Sequence, residues 1–158
     1  MRRDQPLALF LTWRTYGTWL PGDERGWVDQ RRNGFGEPMN RPDYRLAQAA
    51  QGRMAGRPVE FTPNQRLAVD QAIREACEFR RWQVLALNVR TNHVHLVVTA
   101  EHDAGKVLNL LKVRVTTVLR AARAAPAAAP VWARGGSRRQ VWDESSLEAA
   151  VDYVLNRQ

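Results

Sequence analysis

His93 and His95 are the two side chains of this sequence best placed to share a metal ion. They lie in Arg90-Thr91-Asn92-His93-Val94-His95-Leu96-Val97-Val98-Thr99, which alternates from His93 to Val98 as a β-strand does. Side chains two apart on a strand share a face, so both imidazoles point one way while Val94, Leu96 and Val98 point the other. Two neutral imidazoles on a rigid strand can chelate one divalent cation. The same spacing also fits two half-exposed histidines on an edge strand, and so short a motif matches by chance. Tyr153 is a second candidate. The apolar residues around it, Leu147, Ala150, Val151, Val154 and Leu155, repeat at helical spacing. At 100° per residue Tyr153 falls about 130° from the middle of that stripe, away from where a packing tyrosine would sit.

A third kind of chemistry comes from charge. The 158 residues carry a formal net charge of +8. Lys106, Lys112, Arg114, Arg120, Arg123, Arg134, Arg138 and Arg139 give residues 104–139 the whole of that excess, with no acidic residue among them. A block of one sign favours a polyanion, and nucleic acid is the commonest in a cytosol. A merely solvated basic face is the alternative. Lys106, Lys112, Arg120, Arg138 and Arg139 are the candidate phosphate contacts. Trp13 and Arg14, on the first expected strand, join them as candidate DNA-binding residues, with Trp13 available to stack on a base.

These residues need a scaffold, and the chain reads as one domain spanning 1–158, long enough to bury a core. Residues 7–15 are rich in strand formers, and turn residues break them at Tyr16-Gly17-Thr18. About 22–60 reads as a long surface excursion with a short helix at 44–54; Trp19 just before it, and Trp27 and Phe35 within it, lie amid arginines and could stack bases or pin the loop. Thr62-Pro63-Asn64-Gln65 has the form of a capping box, so a helix should begin there and run to about residue 79. A strand at 82–89 should form a hairpin with the histidine strand. A helix is expected over about 104–124, with Lys106, Lys112, Arg120 and Arg123 off its buried stripe. An alanine-proline linker, a short strand at 138–142 and a final helix capped by Ser145 and Glu148 complete the order. Strand, helix, strand, strand, helix, strand is the split βαβ, ferredoxin-like layout of the α+β class. It predicts an antiparallel sheet with helices on one face, plus the C-terminal tyrosine-bearing helix.

Other functions are disfavoured. Apolar runs are strand-length or broken by charge, which argues against a membrane span. The opening residues lack an uninterrupted signal-peptide core. A single cysteine, Cys77, excludes an intramolecular disulfide and a cysteine zinc cluster. The expected setting is reducing and cytoplasmic.

On Asn92-His93-Val94-His95-Leu96-Val97-Val98, the basic helix, Trp142 and Asp152-Tyr153-Val154-Leu155-Asn156, the chain resembles the single-tyrosine HUH transposases. Among them it is most similar to the REP-associated tyrosine transposases. The opening Leu11-Thr12-Trp13-Arg14-Thr15-Tyr16-Gly17-Thr18-Trp19-Leu20-Pro21-Gly22-Asp23 looks like one subgroup of these proteins. The resemblance implies cleavage and joining of single-stranded or hairpin DNA through a 5′-phosphotyrosine. Tyr153 would be the nucleophile, and His93 and His95 would be ligands of Mg²⁺ or Mn²⁺. Related enzymes often supply a third ligand as Gln one turn after the tyrosine. Here that position is Arg157, so Gln158, or else Asn156 or water, is the expected donor. Monomer and homodimer are both compatible with the resemblance. A non-catalytic nucleic-acid-binding module on the same sheet, or a structural metal site that never meets DNA, would use the same elements differently.

Overall fold

A computed structural model of the chain describes residues 4–27, 38–125 and 127–157. The elements in order are β1 (Ala8–Arg14), α1 (Tyr44–Gly52), α2 (Pro63–Phe79), β2 (Gln83–Val89), β3 (His93–Thr99), α3 (Ala104–Ala121), β4 (Ser137–Val141) and α4 (Glu144–Asn156). The four strands form one antiparallel sheet in the order β2-β3-β1-β4. That is the ferredoxin-like order expected from the sequence, with α1 inserted in the long connection after β1. β3 lies inside the sheet, laddered to β2 on one side and β1 on the other. The histidines therefore stand on an interior strand, not an edge.

Alternation divides the sheet into two unlike faces. Leu9, Leu11 and Trp13 of β1 and Val94, Leu96 and Val98 of β3 enter the main core with Val69 and Ile73 of α2 and Val107, Leu111 and Val115 of α3. Ala8, Ala86, Val97 and Val141 point the other way, into a smaller cluster with Ala150 and Val154 of α4. So α2 and α3 cover one face and the tyrosine helix covers the other. Cys77 is part of the main core, and burial pushes its thiol up to about 11. Both fit a cysteine that packs as core filler.

The helix starts follow local hydrogen bonding. Thr62 Oγ accepts from the Gln65 N–H and Gln65 Oε1 accepts from the Thr62 N–H, a complete capping box ahead of Pro63. α3 begins after Asp103 and stops at Ala121, three residues short of the expected end. The cap of α4 differs from expectation. Asp143, not Ser145, holds it, because its carboxylate accepts from both the N–H and the hydroxyl of Ser146. Its buried stripe is also narrower than expected. Leu155 is 55% exposed and lies outside it. In the excursion, a bridge joins Trp27 to Asn40 and the Trp27 indole donates to the Arg41 carbonyl; Phe35 lies outside the described residues.

Candidate active site

Cross-strand register builds the site. His95 on β3 stands opposite Thr12 on β1 and Asn88 on β2, and His93 stands opposite Arg14. Directly paired residues share a face, so these side chains form a patch beneath α4. Each imidazole is held through Nδ1. That of His95 lies 2.8 Å from Thr12 Oγ1, and that of His93 lies 2.7 Å from Asn92 Oδ1. A carboxamide oxygen only accepts, so His93 carries a proton on Nδ1, which in a neutral ring leaves the lone pair on Nε2. Asn92 is itself fixed, since its carbonyl accepts from both the N–H and the hydroxyl of Thr15 at 2.9 and 3.1 Å. Orienting an imidazole through one nitrogen so that a cation can meet the other is the usual device of metal sites.

The ring centroids of His93 and His95 are 4.7 Å apart. Tyr153 descends onto them from α4. Its ring stands edge-on to His95 at 5.6 Å and to Phe10 at 6.0 Å, while 42% of the residue stays exposed. The end of α4 is tied down by Asn88, whose amide donates to the Val154 carbonyl at 3.1 Å. The sheet position opposite His95 thus also anchors the turn that carries Tyr153.

Arg14 completes the patch. Its guanidinium stacks on the Trp19 ring 3.9 Å from the centroid, and that of Arg25 stacks on the same ring at 4.1 Å. Arg25 is paired with Asp23 at 2.7 Å and donates to the Thr18 carbonyl. Its hydrogen bonds hold the Asp23 carboxyl below the usual range. Arg14 has no carboxylate partner among the described residues. Burial, with the nearby Arg25 charge, lowers its pKa, while Tyr153 and Asp23 act in the opposite sense. Tyr153 is therefore within electrostatic reach of this guanidinium.

No group of three His, Cys, Asp or Glu able to hold a metal occurs among the described residues. The two imidazoles are a donor set that fits a divalent ion taking its other ligands from amides, water and substrate. Asn156 ends α4, with its amide nitrogen bonded to Asp152 at 3.0 Å. Arg157 pairs with Asp152 at 2.7 Å. Gln158 lies outside the described residues.

A family model described as "Transposase IS200 like" matches residues 55–157. The chain belongs to the IS200-like transposase family. The matched span includes both histidines and Tyr153, and membership makes the protein a DNA-processing enzyme of a DNA-cleaving class. The fold of this transposase is similar to that of a REP-associated tyrosine transposase bound to a REP hairpin, with a TM-score of 0.54 and 12% identity over 98% of this chain and 69% of that one. A second solved chain, from Deinococcus radiodurans R1 and assigned as a transposase, aligns with a TM-score of 0.46 and 16% identity over 100% and 95% of the two chains. No curated protein matches the sequence.

Of the remaining expected DNA contacts of the transposase, only Arg139 shares the face of the patch. Trp13 is fully buried in the main core, edge-on to Trp132, so the expectation that it stacks on a base is corrected. Lys112 does not point outward. Its ammonium donates to the carbonyls of Ala133 and Gly135, and burial with the charge of Arg138 pushes its pKa down to about 8. It fastens the segment that leads into β4. Arg120 donates to the Ala129 carbonyl. Lys106 is exposed on the first turn of α3, and the Arg138 guanidinium folds over Gly105 beside it, on the helical side of the sheet. Arg139 stands opposite Phe10 and so shares the histidine face with Arg14. Thr12, Asn88 and Asn92 are the supporting residues that spacing alone did not single out, whereas Trp19, expected to stack a base or pin the loop, is the platform for the Arg14 and Arg25 guanidinium groups. Of those three only Asn92 left a signal, as the neighbour of His93. No helix among the described residues is long and apolar enough to cross a membrane.

Proposed function

We propose that this transposase cuts and rejoins single-stranded or hairpin DNA, with Tyr153 as nucleophile. The phenolic oxygen of Tyr153 bonds to the scissile phosphorus and gives up its proton, while the bond from phosphorus to the 3′-oxygen breaks. The products are a 5′-phosphotyrosine and a free 3′-OH. The bond energy is kept in the adduct, so a 3′-OH can reverse the step and join strands without ATP. His93 and His95 would hold Mg²⁺ or Mn²⁺, with Asn156 or Gln158 as a further donor. Such an ion supplies charge neutralisation at the phosphate and polarises it. Thr12 and Asn92 keep the two rings oriented, and Asn88 keeps the tyrosine turn over them.

The observation that carries this reading is the meeting of Tyr153 with His95, whose ring in turn meets that of His93, within a single chain. A monomer would suffice for such a site. Hairpin DNA as substrate is supported by the solved transposase of similar fold that was captured with a REP hairpin. The test is Tyr153→Phe, which keeps the ring and removes one oxygen. Incubated with end-labelled hairpin DNA and Mn²⁺, the wild type should give a denaturant-resistant protein–DNA adduct. The variant should bind the hairpin and give none. An adduct from the variant would overturn the assignment, and no adduct from the wild type would leave a DNA-binding module without chemistry.

A further inference from the structure

We infer that Arg14 is a catalytic residue, whose guanidinium grips a non-bridging oxygen of the phosphate that Tyr153 attacks. The inference rests on the strand-transfer reading above and adds to it a second fixed cation at the reacting centre. Strand alternation gives the direction: Trp13 is in the core, whereas Thr12 bonds His95, so Arg14 emerges on the histidine face opposite His93. Stacking on Trp19 holds the guanidinium plane, and Trp19 is itself fixed by its indole hydrogen bond to the Gly26 carbonyl at 2.7 Å.

The contrast with Arg25 decides what the charge is for. Both arginines stack on one indole, but Asp23 takes two hydrogen bonds from Arg25 and compensates its charge. Arg14 is half-buried beside that pair without a carboxylate of its own among the described residues. A desolvated guanidinium in a rigid setting calls for an anion, and its planar fork matches two phosphate oxygens. The chemistry beside it is that of His93, its cross-strand partner, and of Tyr153, which is close enough to act on its charge.

In the transfer step, negative charge gathers on the equatorial phosphate oxygens as the Tyr153 oxygen bonds and the 3′-oxygen departs. Arg14 stays protonated throughout and exchanges no proton with either oxygen. A donor already aimed at that charge lowers the barrier in both directions, so cleavage and joining should respond alike.

The experiment is single-turnover cleavage of a labelled hairpin by saturating full-length protein, comparing wild type, Arg14→Gln and Arg14→Lys. Each is also given stereopure phosphorothioates at the scissile phosphate. Arg14→Gln should slow cleavage by about 10²–10³-fold, as loss of one oriented donor does elsewhere. Its hairpin Kd should weaken by less than about fivefold, the loss of roughly one phosphate contact. Arg14→Lys should recover part of the rate. In the wild type one phosphorothioate should be slow and not rescued by a thiophilic metal, and in both variants that penalty should shrink. A rate within about threefold of wild type at saturation, or an unchanged sulfur penalty, overturns the role. If Arg14→Gln melts without cooperativity, the sulfur penalty in Arg14→Lys decides alone. If the wild type forms no adduct, the strand-transfer reading fails first, and the role of Arg14 falls with it.

Discussion

A histidine makes a dependable ligand only when something settles which of its nitrogens carries the proton. Here Asn92 settles it for His93, while the Thr12 hydroxyl orients His95 as donor or acceptor, and the consequence can be measured. Replacing His93 and His95 together by alanine should abolish divalent-dependent cleavage, with hairpin affinity and the cooperative melt retained. Undiminished cleavage would eliminate the site, and loss of the melt would make it structural. Thr12→Val and Asn92→Ala should each weaken Mn²⁺ by about 10–100-fold in a titration followed by calorimetry. Lys112 gives a pH signature. Its folded pKa of about 8 lies below the ordinary 10.5, so folding disfavours its charged form. The unfolded chain then binds more protons between those values, and stability should rise with pH across that window, by about 1–2 kcal/mol after solvent screening. The neutral amine keeps two hydrogens for the carbonyls of Ala133 and Gly135. Denaturant unfolding at pH 8 and pH 10 should show this gain in the wild type and not in Lys112→Met. At this scale the sequence was half legible. The shared face of His93 and His95 follows from alternation alone, whereas Thr12 depends on a register that no local pattern encodes. Trp13 misled because it was read as a strand aromatic open to a base. Its phase with Leu9 and Leu11 already marked it as core.

Elements inherit their reliability from how local their signals are. The capping box of Thr62 and Gln65 is four residues long and could be read outright. The start of α4 could not, because Asp143 and Ser145 are both good acceptors and only three-dimensional hydrogen bonding chooses between them. Asp143→Ala should cost about 1 kcal/mol in denaturant unfolding, against little for Ser145→Ala. Equal losses would return the cap to Ser145. The β2–β3 hairpin carries a stricter requirement. Inserting one residue between Asn92 and His93, if the strand keeps its pairing, moves every side chain of β3 to the opposite face. Valines would then replace histidines under Tyr153, and charge-bearing rings would enter the core, so such a variant should fail to fold and not merely to cleave. Circular dichroism melting would tell the two apart.

Seen whole, the molecule distributes its positive charge on both sides of the sheet, Arg14 and Arg139 with the histidines and Lys106 and Arg138 with α3. If DNA meets both sides, three to five phosphate contacts give a salt slope of roughly −2 to −4 for a single strand. Lys106→Gln with Arg138→Gln should flatten that slope by about 1.4 while leaving the cleavage rate at saturation nearly unchanged. An unaltered slope would leave the α3 side as solvated surface. The total charge was legible in composition, but its division was not, because it turns on which side of β4 each arginine occupies. The sheet is also a bulkhead. Nearly all of the buried apolar mass lies behind it, and the chemistry lies in front, under one lightly anchored helix. Substitutions at the front can therefore remove the chemistry while the packed core behind it stays intact. Yield and melting temperature are therefore no guide to whether a variant keeps its chemistry.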